Sequence, residues 1–303
     1  RNERNITMCH KIITLAFCLF SCFAAWAQSR TDFELTKVGS GHLYFETTLC
    51  GDTVSIMVET PMPGFMIGRD FYERNKDKFE LDFTPAEGKK AFFLYGVTHE
   101  ISHTANGVVR LDGALYDGPV FVLNDYDDFK IPIQYLKNRE GNRSLVCIDI
   151  AQGKMSVLSE YPEMAGVTKY KLRKSKETSA PIMSANIEIK GADGKDIRLK
   201  EDLIVDFGNP MLLFINKKHK TMKKLLKKGQ VELHEGRNKE GVVIAEFFYT
   251  EARNICGKSF GEGGIITNDK GITLQEFGLL GVPFFTTPVL FDFDQMEMIT
   301  FEE

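Results

Sequence analysis

Two acidic strings and one histidine string in this chain have the residue types and spacing for chemistry. Leu203-Ile204-Val205-Asp206-Phe207-Gly208 ends an apolar run in a carboxylate and then a glycine, the residue that lets a second backbone come close. Val58-Glu59-Thr60-Pro61 places another carboxylate at the end of another apolar run. Carboxylates brought face to face from two loops cannot both ionise easily. Such a pair shares a proton, one member serving as base and the other as acid towards a water between them. His99-Glu100-Ile101-Ser102-His103 spells a different chemistry, in which two histidines one helical turn apart bind zinc and leave the glutamate as base.

The zinc chemistry demands a helix, and the flanks favour strand, turn, strand: residues 92–98 and 104–109 are rich in aromatic and β-branched types. On a strand both histidines share one face and Glu100 points away. No third ligand stands out downstream, so a β-hairpin is the expectation and a zinc hydrolase through His99, Glu100 and His103 the alternative. Asp112-Gly113-Ala114 reads as a turn, and Gly261-Glu262-Gly263-Gly264 as a hairpin turn without the strand-to-helix setting of a phosphate loop. The lysines of residues 217–228 read as the solvated face of a helix with Met222, Leu225 and Leu226 turned inward.

The elements that must position these residues are mostly strands. Residues 42–49 alternate apolar and polar, and Gly51-Asp52 turns them into a buried strand ending at Glu59. Helix is expected only at 70–79 and 216–228. Three landmarks recur in the same order in both halves: a hairpin ending in an acid, an apolar strand entering a charged helix, and a terminal strand pair. Glu59 and Asp206 lie 147 residues apart, Asp149 and Asp292 143 apart. That near-constant offset predicts an internal duplication, with lobes at 33–160 and 181–303 and a polar linker at 161–180.

The second half resembles aspartic proteases of the pepsin/retropepsin superfamily. The resemblance is carried by Ile204-Val205-Asp206-Phe207-Gly208, Ile255-Cys256-Gly257, Gly278-Leu279-Leu280-Gly281 and Val289-Leu290-Phe291-Asp292-Phe293, in family order. The first half matches through Val58-Glu59-Thr60-Pro61 and the apolar run that follows. The resemblance implies a mainly β fold of two pseudo-symmetric β-barrel-like lobes with a few short helices. It also implies Asp206 and Glu59 as the catalytic pair, Gly208, Phe207 and Thr60 as loop supports, no cofactor or metal, and an extended peptide or protein as substrate or ligand. Tyr95 falls where the family carries a flap aromatic, although an ordinary packed tyrosine is the leading reading of it. The chain departs from the pattern at both loops. Phe207 stands where a hydroxyl residue makes a cross-loop hydrogen bond, Glu59 where an aspartate stands, and Pro61 where a glycine stands. A carboxylate displaced by about 1 Å can lose on the order of a hundredfold in rate. The expectation is an aspartic-peptidase-like protein with weak or lost activity, the alternative a peptidase working through Glu59 and Asp206.

Residues 1–27 read as a signal peptide: Met8, basic Lys11, an apolar run over 12–26 and a small-x-small site at Ala25-Trp26-Ala27. Export to the periplasm or the extracellular space follows. Leu19-Phe20-Ser21-Cys22 is the weaker, lipoprotein reading. Without Arg1, Arg4 and Lys11, and without Glu3, the 38 basic and 42 acidic residues become 35 and 41, a charge of about −6. That balance argues against a nucleic-acid partner, and no apolar stretch is long enough for a membrane span. Cys50, Cys147 and Cys256 remain, too few for a disulfide framework, with any bridge between them left open.

Overall fold

The structure is a computed structural model that describes residues 30–86, 92–94, 97–176, 178–217, 220–269 and 277–301. Residues 1–27, expected as a signal peptide, and Tyr95 lie outside the described residues. Alternation makes the first hairpin: Leu43–Leu49 buries every second residue and pairs antiparallel with Asp52–Glu59 from Leu49↔Asp52 to Tyr44↔Met57. Its turn is Cys50-Gly51, both at positive φ (54° and 88°), a backbone that suits the right-handed twist of the flanking strands. The mainly β expectation holds, and the two expected helices are present in shortened form as Arg69–Asn75 and Lys220–Lys227. In the second, Met222 and Leu225 are buried and the lysines face outwards.

The strand that delivers each acid sits in the same crossing of chains. Asp52–Glu59 runs parallel to Lys130–Pro132, with Glu59 opposite Pro132, and Lys130–Pro132 runs antiparallel to Phe65–Gly68. In the second half, Asp196–Asp206 runs parallel to Gly278–Gly281, with Asp206 opposite Gly281, and Gly278–Gly281 runs antiparallel to Leu213–Phe214. Each middle strand continues the likeness: Phe65–Gly68 runs parallel to Leu115–Leu123, and Leu213–Phe214 parallel to Gly263–Asp269. The duplication legible in the sequence is a duplication of topology.

A third sheet joins the halves. The terminal hairpins Leu145–Asp149/Lys154–Leu158 and Val289–Asp292/Glu297–Phe301 pair antiparallel with each other, from Leu145↔Asp292 to Ile148↔Val289. Their turns repeat in detail. Asp149 Oδ1 accepts the Gln152 N–H at 2.9 Å and Asp292 Oδ1 the Gln295 N–H at 2.9 Å, each followed by a residue at positive φ, Gly153 at 60° and Met296 at 52°. The expected linker at 161–180 needs correction. Val167–Lys174 is a strand paired with Glu297–Phe301 and with Pro181–Lys190. Only Leu172 on it is buried. An exposed strand at a sheet edge has the polar composition of a linker, so composition alone misread it.

The repeat is broken at one point that locks the halves together. Asp292 is fully buried; Arg143 Nη2 from the first half donates to its Oδ2 at 2.8 Å, and Tyr161 Oη donates to the same oxygen. Arg143 also lies over the Tyr161 ring at 5.3 Å. Removing one partner of a buried pair leaves the other charge uncompensated. Arg143→Met is expected to cost about 3 kcal/mol in urea unfolding. A loss under about 0.5 kcal/mol contradicts this role.

Candidate functional site

Glu59 and Asp206 end their strands at the boundary between the halves, and both are nearly dry, with 5% and 6% of their surface exposed. The structure brings them together through Gly208. A β-carbon built on Gly208 would fall 2.0 and 2.3 Å from the two Glu59 carboxylate oxygens, so the longer glutamate side chain reaches over the second loop and lies on its glycine. Glycine is required there because a backbone and a carboxylate share the space. Asp206 Oδ1 accepts the Gly208 N–H at 2.9 Å. Pro61, the residue placed like Gly208 in the first loop, has no N–H to give. Glu59 takes its backbone hydrogen bond from Thr60 instead.

The two loops grip each other from one side only. Thr60 Oγ1 donates to the Val205 carbonyl at 2.5 Å and accepts the Phe207 N–H at 3.1 Å, all of it buried. The Phe207 side chain has no hydroxyl to return the bond. It turns into the second core, stacked on Phe285 (centroids 4.9 Å, 17°) and edge-on to Phe291 (5.7 Å, 79°). Gln134 Nε2 braces the first loop from below through the Thr60 carbonyl at 2.7 Å. From above, the turn before Leu43 rests on the second loop. Gly41, at φ 91°, leaves room for Pro210, and His42 hydrogen-bonds the Gly208 backbone while its Nδ1 lies 2.6 Å from Ser40 Oγ.

Sequence reasoning missed Lys130. Its ammonium lies 3.6 Å from Glu59 Oε1, and the lysine side chain is 2% exposed. It stands opposite Met57 in the crossing described above, and the equivalent place in the second half, opposite Ile204, is Leu279. The signal was present as one charged residue entering the short apolar run Ile131-Pro132-Ile133. Read alone, it resembles any surface lysine.

The electrostatics follow from burial. Asp206 is held well above the usual carboxylate range, first by burial and then by the Glu59 charge, against the pull of the Gly208 N–H and Lys130. Glu59 is also raised by burial, although Lys130 and the Thr60 N–H oppose this. His42 is lowered by burial and by Lys130. Asp128, two residues before Lys130 in the chain, is raised by burial, with its Oδ1 bound to the Phe129 N–H and Tyr44 Oη donating to its Oδ2 at 3.4 Å. The arrangement is a carboxyl whose surroundings favour its proton beside a second buried acid paired with Lys130.

The histidine string sits elsewhere. His99 ends strand Val97–His99 and His103 lies on Ile101–Arg110, with only Glu100 between the strands. The turn expected inside the string is therefore absent. Its residues run on as strand because Ile101–Arg110 pairs along Leu115–Leu123, and Phe92–Leu94 supplies the hairpin partner of Val97–His99. The His99 ring packs edge-on to Tyr126 and the His103 ring against Tyr72. Among the described residues no group of three or more His, Cys, Asp or Glu is placed to hold a metal ion. Asp112-Gly113-Ala114 forms the expected turn, with Gly113 at φ 77°. Cys50, Cys147 and Cys256 are all free thiols, so the bridge left open by the sequence is absent from the structure.

No family model matches the chain, and no curated protein matches it in sequence. Among solved structures, the aspartic proteinase from Irpex lacteus superposes with a TM-score of 0.53 at 12% identity, over 91% of this chain and 98% of that one. At that identity the likeness shows the fold alone: a mainly β architecture like that of a pepsin-like aspartic proteinase.

Two outcomes test the geometry. Gly208→Ala is expected to destabilise wild type and to cost about 1 kcal/mol less in a Glu59→Asp background, whose shorter side chain leaves the space free; additive losses would remove the contact. Asp206 carries a raised folded value, so the folded state binds its proton more tightly than the unfolded chain. Stability therefore falls as pH rises from the ordinary carboxylate range through that raised value. Asp206→Asn should remove this loss, raising the melting temperature at pH 7 relative to wild type by about 2–4 °C more than at pH 4.

Proposed function

We propose that this chain is an aspartic-peptidase-like protein that binds extended peptide between its lobes and hydrolyses it slowly or not at all. The observation that carries the reading is the pairing of Glu59 with Lys130 at 3.6 Å in a nearly dry site. Water activation by two carboxylates needs one of them free to take a proton. Burial and the Glu59 charge raise Asp206 well above the usual carboxylate range, so Asp206 is the member that favours its proton and Glu59 the candidate base. An ammonium at this distance in a low-dielectric setting weakens that base. Pro61 and Phe207 act in the same direction, removing one backbone donor and one cross-loop hydroxyl from the catalytic loops. The fold supports a peptide ligand by analogy, since a structurally similar protein is an aspartic proteinase. On the strength of the leader-like segment, the protein works outside the cytoplasm.

Peptide libraries incubated between pH 3 and pH 7 with wild type and Asp206→Asn provide the test. Slow cleavage lost in Asp206→Asn, or peptide binding without cleavage, supports the proposal. Rapid turnover in wild type removes its non-hydrolytic part, and absence of both binding and cleavage removes it altogether.

A further inference from the structure

We propose that Lys130 is a positioning residue for the acid pair: a fixed internal positive charge that makes every protonation state of the pair one unit less negative. The inference rests on the Glu59/Asp206 pair being the working site.

The geometry comes first. Lys130 is delivered by the strand that runs parallel to the Glu59 strand, two residues before the residue opposite Glu59. Its ammonium lies beside Glu59 Oε1 and its aliphatic stem is enclosed, so it cannot swing into solvent without opening the crossing. The charged and titratable groups that feel it come from every side of the site. They are Glu59 on the neighbouring strand, Asp206 from the second half, Asp128 on its own chain segment and His42 from the turn above. The Tyr44 hydroxyl completes the surround through Asp128.

The charge count comes next. Two facing carboxylates sharing one proton carry a single negative charge. Two ionised carboxylates with one ammonium carry the same net charge and need no shared proton. The pair can then pass between a one-proton state, net neutral, and a proton-free state, net −1. The usual pair passes between −1 and −2, and the second of these is costly in a dry site. The duplicated fold supplies the comparison within the molecule, because the equivalent position in the second half is the apolar Leu279, 3% exposed. The charge at 130 is therefore not a demand of the crossing itself. A lysine buried there without a role for its charge would only lower stability.

The experiment reads protonation directly, without substrate. Side-chain carboxyl carbons of labelled Glu and Asp are followed by NMR from pH 3 to pH 9, with Glu59 and Asp206 assigned through Glu59→Gln and Asp206→Asn. In Lys130→Leu, which copies Leu279, the pair should hold its proton at least about tenfold more tightly, while Lys130→Arg should titrate close to wild type. In wild type, the Lys130 Nζ nitrogen should remain charged at pH 7 and its shift should follow the Glu59 titration. An unchanged carboxyl titration in Lys130→Leu overturns the proposal. So does a neutral Lys130 at pH 7, a measurement that decides the matter even if Lys130→Leu does not fold. Because no peptide is involved, a failed cleavage assay leaves this result standing, and a failed titration leaves peptide binding to be judged separately.

Discussion

Burying two acids at the ends of two strands sets a charge problem that the rest of the site is arranged around. Neither Glu59 nor Asp206 has access to enough water to solvate a charge. Each needs donors from the fold, and the two loops supply different ones: the Gly208 amide for Asp206, the Thr60 amide and Lys130 for Glu59. The symmetry of the chain trace is therefore greater than the symmetry of the chemistry. Duplicated crossings deliver the acids to equivalent places, and unlike neighbours then give them unlike proton affinities.

The lobes are held in register by contacts that share this one-sidedness. Thr60 reaches into the second loop, and no hydroxyl reaches back from Phe207. The Asp149 and Asp292 turns are built alike, yet only Asp292 is joined by Arg143 and Tyr161. The first half and the connecting strand hold the second at both ends of the boundary: the acid pair at one and the bridging sheet at the other. Gly208 ties the two themes together, since the glutamate fits across the boundary only because that residue lacks a side chain.

Much of this was legible in the sequence. Alternation over residues 42–49, the apolar runs before Glu59 and Asp206, and the offset between repeated landmarks gave the strands, the crossings and the equivalence of the acids. Phe207 and Pro61 already stood out as departures at the loops. Lys130 did not, because a single lysine carries no periodicity, and its burial depends on a parallel pairing with a strand some seventy residues away. Strand Val167–Lys174 was hidden for the opposite reason. Its polar residues face solvent at a sheet edge, so composition pointed to a loop while the backbone pairing came from the far end of the chain. His42 was likewise invisible, since its contact with Gly208 exists only once the lobes meet.

The aromatic seat of Phe207 has a thermal consequence. Where a reciprocal hydroxyl would add a polar bond of its own, the side chain at 207 adds ring packing on Phe285 and Phe291 to the two bonds that Thr60 makes with this loop. Burial of apolar surface is driven largely by entropy near room temperature and weakens on cooling. Cold should loosen the Asp206 side of the site before the Thr60 side, so the alignment of the two acids is a property of the warm protein.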